Sequence, residues 1–329
     1  MLLDIVVTHY KEPWEVAKPL FDMLGLQRGV SFSDFRVILV NDGEENHIPD
    51  VLLVDYPYEI HQIDIPHGGV SAARNAGLEY STADWVNFCD CDDTYTNIYA
   101  IRDILNVIKD DCKFDFLWTQ LITEDFTEKE GPCRLILTPK KTVFVFIHGK
   151  IYRREWLINN GIRFDTNFAF QEDSLFNAMV LGVIKTERVG QISTLIPPYV
   201  WCRRRGSVTN SEANADKATW YHFKRNCKVC EFYRDKLPDR LSHMVVRTVY
   251  DTFFMVTSKR DISLKMRNNI VDAFKEFLKD YGQYYAKPED DELLAQIQEI
   301  SLAELMQIPV NYDFETVTNW KNLFEGTIE

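Results

Sequence analysis

The stretch Phe35–Gly43, FRVILVNDG, decides the fold. Its apolar residues form a near-continuous run rich in β-branched side chains, which describes a strand covered on both faces, as in a parallel sheet. The run stops at Asn-Asp-Gly, a turn signal, so polar groups collect at its C-terminal end. Working outward, LLDIVVTHY (2–10) is a second such strand, and PWEVAKPLFDMLGL (13–26) follows with apolar residues at helical spacing. YEIHQIDI (58–65) is extended, PHGGVSAARNAGLEY (66–80) is a Gly-Gly loop and a helix with Ser71 as its expected N-cap, and DWVNFCD (84–90) is strand again. This alternation predicts a doubly wound α/β sheet, whose ligands sit beyond the carboxyl ends of the strands. Thr8 to Glu12, Asn41 to Gly43 and Asp90 to Asp93 all fall at those ends.

FDFLWTQLITEDF (114–126) and CRLILTPKKTVFVFIHGKIYRREWL (133–157) are further strands, with a helix near Arg154 to Asn160. FQEDSLFNAMVLGVI (170–184) is an amphipathic helix with an acidic start, and YVWCRRRGSVTNSE (199–212) is a strand entering a basic loop. From residue 213 the helical period dominates. The expected domains are therefore 1–212, α/β, and 213–329, helical, with KPEDDELLAQIQEISLAEL (287–305) continuing the helices.

The chain has 329 residues, 46% of them hydrophobic, enough to form proper cores. A formal net charge of −13 disfavours a broad nucleic-acid footprint, which needs an excess of cations on one face. No apolar run approaches the roughly 20 residues of a membrane span, and the N-terminus shows no basic leader. The expectation is a cytoplasmic protein, at most peripheral to a membrane. Seven cysteines in a leaderless chain read as thiols.

The chemistry concentrates in NFCDCDD (87–93). A calcium loop fails for want of the central Gly and terminal Glu. Two readings stay open: a turn whose carboxylates cap the next helix, or Asp90 and Asp92, two apart on extended backbone, presenting carboxylates to a hard cation such as Mn2+ or Mg2+. Cys89 and Cys91 cannot surround a tetrahedral ion from alternate strand positions and are assigned to core packing.

The ordered set VVTHYKE (6–12), VNDG (40–43), GGVSAARNAGLEYSTADWVNFCDCDD (68–93), HGKIYRREWLINNGIRFD (148–165) and FQEDSLF (170–176) resembles the family 2 glycosyltransferases of GT-A fold. The resemblance covers about residues 1 to 212. It implies a mixed sheet flanked by helices and transfer of one sugar from a nucleotide diphosphate donor, UDP in the uridine-dependent members. The acceptor it leaves open: saccharide, glycan or phosphorylated polymer. Carried over residue by residue, it assigns Thr8, Tyr10 and Glu12 to nucleotide contact, with Tyr10 beside the base, and Asp42 to the uracil ring. The resemblance also implies Arg74 near the nucleotide, Asp90 facing the ribose or a metal-bound water, and Asp92 binding the cation. By the same resemblance Asp173 would be the base of an inverting displacement, with Glu172 orienting it or the acceptor.

Each role has a plainer alternative. Tyr10 would be core filler, Asp42 a cap of its own turn, Arg74 half of a structural ion pair, and Glu172 and Asp173 helix caps. Arg203, Arg204, Arg205 and Ser207 match a mobile segment that closes over the diphosphate, or else form a solvated cluster. His148 touches metal or acceptor, or is a satisfied structural histidine. The chain departs from the family in having Thr8 for Pro and Lys11 for Asn, and it lacks the Gln-x-x-Arg-Trp of processive synthases. A second reading is a nucleotide-sugar-binding or scaffolding protein of the same fold without useful catalysis.

Overall fold

A computed structural model describes residues 1–109, 112–127, 131–137, 145–202, 215–257 and 262–285. The chain divides into two compact units, Met1–Ser211 and Glu212–Glu329.

In the first unit the alternating segments become β1 (Leu3–His9), α1 (Trp14–Gly25), β2 (Phe35–Asp42), β3 (Glu59–Ile65), α2 (Val70–Tyr80), β4 (Trp85–Asp90), β5 (Thr94–Tyr95) and α3 (Ala100–Ile108). They are followed by β6 (Phe116–Thr119), β7 (Leu121–Thr127), β8 (Gly131–Leu137), β9 (Lys150–Arg153), α4 (Arg154–Asn159), α5 (Glu172–Val183), β10 (Val189–Ile192) and β11 (Tyr199–Cys202). Seven strands form one sheet in the order β10-β6-β9-β4-β1-β2-β3. β1 to β4 are mutually parallel, as are β6 and β10, while β9 runs antiparallel between β4 and β6. A second sheet, β5-β11-β7-β8, completes the unit.

Period-two alternation explains the double winding. Leu3, Ile5 and Val7 of β1, with Phe35, Val37 and Leu39 of β2, share one core with Ala17, Leu20, Phe21 and Leu24 of α1 and Ile101, Ile104 and Leu105 of α3. Val6 and Val40 face the other way, toward α2. There a Cβ on Gly77 would lie 2.2 Å from Val6 Cγ1, so the helix reaches the sheet only because position 77 has no side chain. Phe88 of β4 extends this second face, edge-on to Phe164 and to Phe176 of α5.

Asp4 anchors the end of the sheet opposite the strands' carboxyl ends. Its carboxylate accepts from Arg36 Nε and Nη2 (2.9 Å each), Ser81 Oγ (2.7 Å), and the Thr82 and Ala83 amides (2.9 and 3.0 Å). Burial works against its charge, yet Arg36 and the other donors hold its pKa below the usual carboxylate range.

The entry to α2 differs from expectation. Gly69 (φ +83°) is the N-cap, and Ser71 sits in the first turn with its Oγ buried and unbonded. The reason is tertiary: Asp42, from the end of β2, accepts the Gly68 and Gly69 amides at 2.7 and 2.9 Å, so the loop is satisfied from another strand.

The described part of the second unit is helical: α6 (Ala215–Lys236), α7 (Pro238–Thr257) and α8 (Leu264–Tyr281). Phe223, Cys230, Leu241, Val245, Val249, Ile270, Phe274 and Phe277 form its core. Asn226 Nδ2 donates to the buried Asp251 carboxylate at 2.9 Å. The segment 287–305 lies outside the described residues. Among those described, no helix is long and apolar enough to cross a membrane.

Candidate active site

The sheet order reverses between β1 and β4, the place where a crevice opens in an α/β sheet. Register puts Thr8 directly beside Asp90, and Thr8 Oγ1 donates to Asp90 Oδ1 at 3.1 Å. Arg74, buried in α2, donates through Nη2 to the same Oδ1 and through Nη1 to Glu172 Oε1, both at 2.9 Å. One guanidinium therefore joins the end of β4 to the start of α5. Burial works against its charge, but Asp90, Glu172 and Asp173 outweigh it and raise its pKa. Asp90 is in turn held below the usual carboxylate range, burial opposing and Arg74, His148 and Thr8 prevailing.

Asp173 occupies the first turn of α5. Gln171, the N-cap, has φ +62°, a left-handed conformation uncommon for a residue other than glycine, and it turns the chain sharply before the two acids. The Ser174 amide donates to Asp173 Oδ1 at 2.6 Å. Burial and the neighbouring Glu172 push the Asp173 carboxyl up to about 7, against the pull of Arg74, Ser174 and Lys150. Lys150, fully buried on β9, donates to the Phe146 and His148 carbonyls, and burial brings its pKa down to about 7.

A second cluster surrounds Asp93. Its Oδ2 accepts from Tyr199 (2.7 Å) and its Oδ1 from the Cys202 amide (2.8 Å), which ties the DCDD turn to β11. His148 Nδ1 approaches Asp93 Oδ2 to 3.3 Å without forming a hydrogen bond. The imidazole is stacked near Tyr199 and Trp201, and burial lowers its pKa to about 4. Ligand atoms of Asp90, Asp93 and His148 lie within 4.8 Å of one another. Asp92 is half-buried and is not one of this trio. Cys89 and Cys91 belong to the core, where burial raises their thiols.

Beyond the carboxyl end of β1, His9 bonds Asn41 Oδ1 and the Glu12 carbonyl, and the Glu12 carboxylate accepts the Tyr10 amide at 2.8 Å. Lys11, with φ +63°, makes this tight loop. Tyr10 is half-buried, stacked on His67 with centroids 4.4 Å apart and planes 9° from parallel, with Lys11 Nζ 4.7 Å from its ring. Asp42 serves the Gly68–Gly69 loop instead of its own turn and also accepts from His67 Nδ1 at 2.9 Å. Thr8, Tyr10, Glu12, Asp42, Arg74, Asp90, Asp92, Glu172 and Asp173 thus all cluster around the carboxyl ends of β1, β2 and β4 and the N-terminus of α5. Arg203, Arg204, Arg205 and Ser207 lie outside the described residues.

Sequence reading missed His67, Tyr199 and the burial of Lys150. His67 had a signal, as the aromatic residue just before Gly68-Gly69. Tyr199, 106 residues from Asp93, had none.

The model of glycosyl transferase family 2 matches residues 4–176. Minor teichoic acid biosynthesis protein GgaA of Bacillus subtilis (strain 168) is 25% identical over 273 residues, 77% of this chain and 57% of its own length. The uncharacterized glycosyltransferase EpsJ of the same organism is 26% identical over 228 residues, 63% of each chain. This chain therefore spans less than two thirds of the length of either relative. Among solved structures, S. aureus TarS 1-349 in complex with UDP superposes with a TM-score of 0.62 at 15% identity, covering 84% of this chain and 80% of that one. The complex of the same protein with UDP-GlcNAc gives 0.61 at 16%, covering 85% and 81%. With more than half its length matched by the family model and its fold shared with these neighbours, the chain belongs to glycosyl transferase family 2 and has the GT-A fold.

Proposed function

We propose that the chain is a metal-dependent, inverting glycosyltransferase that moves a single sugar from a UDP-sugar to an acceptor hydroxyl, and that Met1–Ser211 is its catalytic domain. The observation that carries this reading is the Arg74 bridge, which links the carboxylate at the end of β4 to the acidic start of α5.

The donors present fit Mn2+ or Mg2+. Both hydrogen bonds to the Asp90 carboxylate fall on Oδ1, which leaves Oδ2 for a ligand, and His148 Nδ1 is buried with no hydrogen bond. Carboxylate oxygens with at most one imidazole suit a hard or borderline cation. Asp90 and Asp92 would hold it, and ligand atoms of Asp93 and His148 lie within 4.8 Å of one of Asp90. When bound, the ion neutralises the charge that grows on the diphosphate leaving group. Arg74 fixes the Asp90 carboxylate toward the donor and, through Glu172, orients the start of α5. Asp173 takes the proton of the acceptor hydroxyl as that oxygen attacks the anomeric carbon from the side opposite the diphosphate, so configuration inverts. A carboxyl near 7 is a stronger base than an ordinary aspartate and is still about half ionised in neutral solution.

Tyr10 and Asp42 suit uracil, one offering a ring face and the other a carboxylate acceptor. TarS, which has this fold, binds UDP and UDP-GlcNAc. For the acceptor we favour a phosphorylated polymer, because GgaA is named for minor teichoic acid biosynthesis. The test is UDP release from a panel of UDP-sugars with Mn2+, with and without acceptor. Metal-dependent release that Asp173→Asn abolishes, with UDP still bound, is the expected result. Binding without release from any donor would instead establish the second reading, a nucleotide-sugar-binding protein.

A further inference from the structure

His67 reproduces, within the chain, the contacts that a uracil ring would make. It lays a flat ring on Tyr10, centroids 4.4 Å apart and planes within 9°, and it brings Nδ1 to 2.9 Å from Asp42 Oδ2. A carboxylate can only accept, so this nitrogen is the donor. Uracil offers the same pair of features, a π face and a ring N–H. We propose that His67 is an internal competitor that takes the nucleobase position and must swing out before a uridine nucleotide can bind. The proposal rests on the reading of Tyr10 and Asp42 as the base site.

The surroundings permit such a motion. The His67 side chain is 54% exposed, and the residue lies in the loop between β3 and α2 with two glycines directly after it. When the imidazole leaves, Asp42 keeps the Gly68 and Gly69 amides, so its carboxylate stays in place with one acceptor position released. The core is not involved, because Tyr10 is only half-buried. The competition raises the donor Kd by whatever the stack and the hydrogen bond contribute, and it discriminates against ligands that cannot replace both contacts.

The experiment measures Kd for UDP and for inorganic pyrophosphate, each with Mn2+, in the wild type, in His67→Ala, and in His67→Ala combined with Tyr10→Ala or with Asp42→Asn. The expected result is a UDP Kd lowered roughly fivefold by His67→Ala, with pyrophosphate unchanged, and raised again when either of the other two substitutions is added. Proton NMR of the His67 ring adds a readout that a passive wall residue would not give: a ring-current shift from Tyr10 that disappears when UDP binds. If Tyr10→Ala and Asp42→Asn, each added to His67→Ala, leave UDP binding unchanged, the base-site reading fails and the proposal falls with it. If they weaken UDP and His67→Ala weakens it too, or the ring-current shift persists in the complex, the base site stands and the competitor role alone is refuted.

Discussion

Asp173 carries opposite demands, since burial and Glu172 lift its pKa to about 7 while the proposed chemistry needs it ionised. Transfer should therefore rise with pH, reach half its maximum near pH 7 and level off above, and Asp173→Asn should lower the rate by roughly 10²- to 10⁴-fold with UDP affinity kept. A flat profile from about pH 5.5 to 8.5, or an active Asn variant, would remove it as the base. Stability moves the other way. A carboxyl whose folded pKa exceeds its unfolded value favours the fold in acid and loses that contribution as pH rises through about 7. Asp173→Asn should accordingly raise the denaturation midpoint at about pH 8, which is expected of a site that trades stability for function. Arg74→Met should do the reverse. It strands the partly buried Asp90 and Glu172 carboxylates without their cation, and a loss of roughly 3–5 kcal/mol in urea unfolding is expected. Asp92→Ala separates the open readings of DCDD: loss of Mn2+-dependent turnover with an unchanged melting temperature marks a ligand, and a lowered melting temperature with normal turnover marks a turn residue.

Between elements, the contact of α2 with the sheet decides whether Arg74 reaches both carboxylates. Gly77→Ala would force a methyl to within 2.2 Å of Val6 Cγ1 on β1. Overpacking of this kind costs about 1–3 kcal/mol, and because it shifts α2 it should also lower turnover. A Gly77→Ala variant as stable and active as the wild type would mean that α2 does not set the geometry. At this scale much was readable: the strand runs, the helix periods and the turn residues placed every named carboxylate near a strand end or a helix start. The partners were not readable. Ser71 was expected to cap α2 from its sequence position, yet Asp42, 26 residues before Gly68, satisfies that loop. A local rule weighs neighbours along the chain, whereas a buried amide takes whichever acceptor the fold brings to it.

For the molecule as a whole, all the described residues of the site lie in the unit Met1–Ser211. UDP with Mn2+ at about 100 times Kd should stabilise the native state by about 2.7 kcal/mol. Hydrogen exchange should show the protection at the ends of β1 and β4 and at the start of α5, with α6 to α8 unchanged. Protection confined to α6–α8 would overturn the assignment of the catalytic domain. Sequence by itself determined the α/β class, the family and the identity of the chemical groups, because hydrophobic period, turn chemistry and motif order are properties of neighbouring residues. Only the tertiary structure decided which groups act together. It set Arg74 between Asp90 and Glu172, 98 residues beyond it, fixed Asp93 to Tyr199 and Cys202, left His148 Nδ1 unbonded, and laid His67 on Tyr10. Those pairings, and the burial that raises Asp173 and lowers Lys150, arise from packing between segments remote in the chain, on which local sequence carries no information.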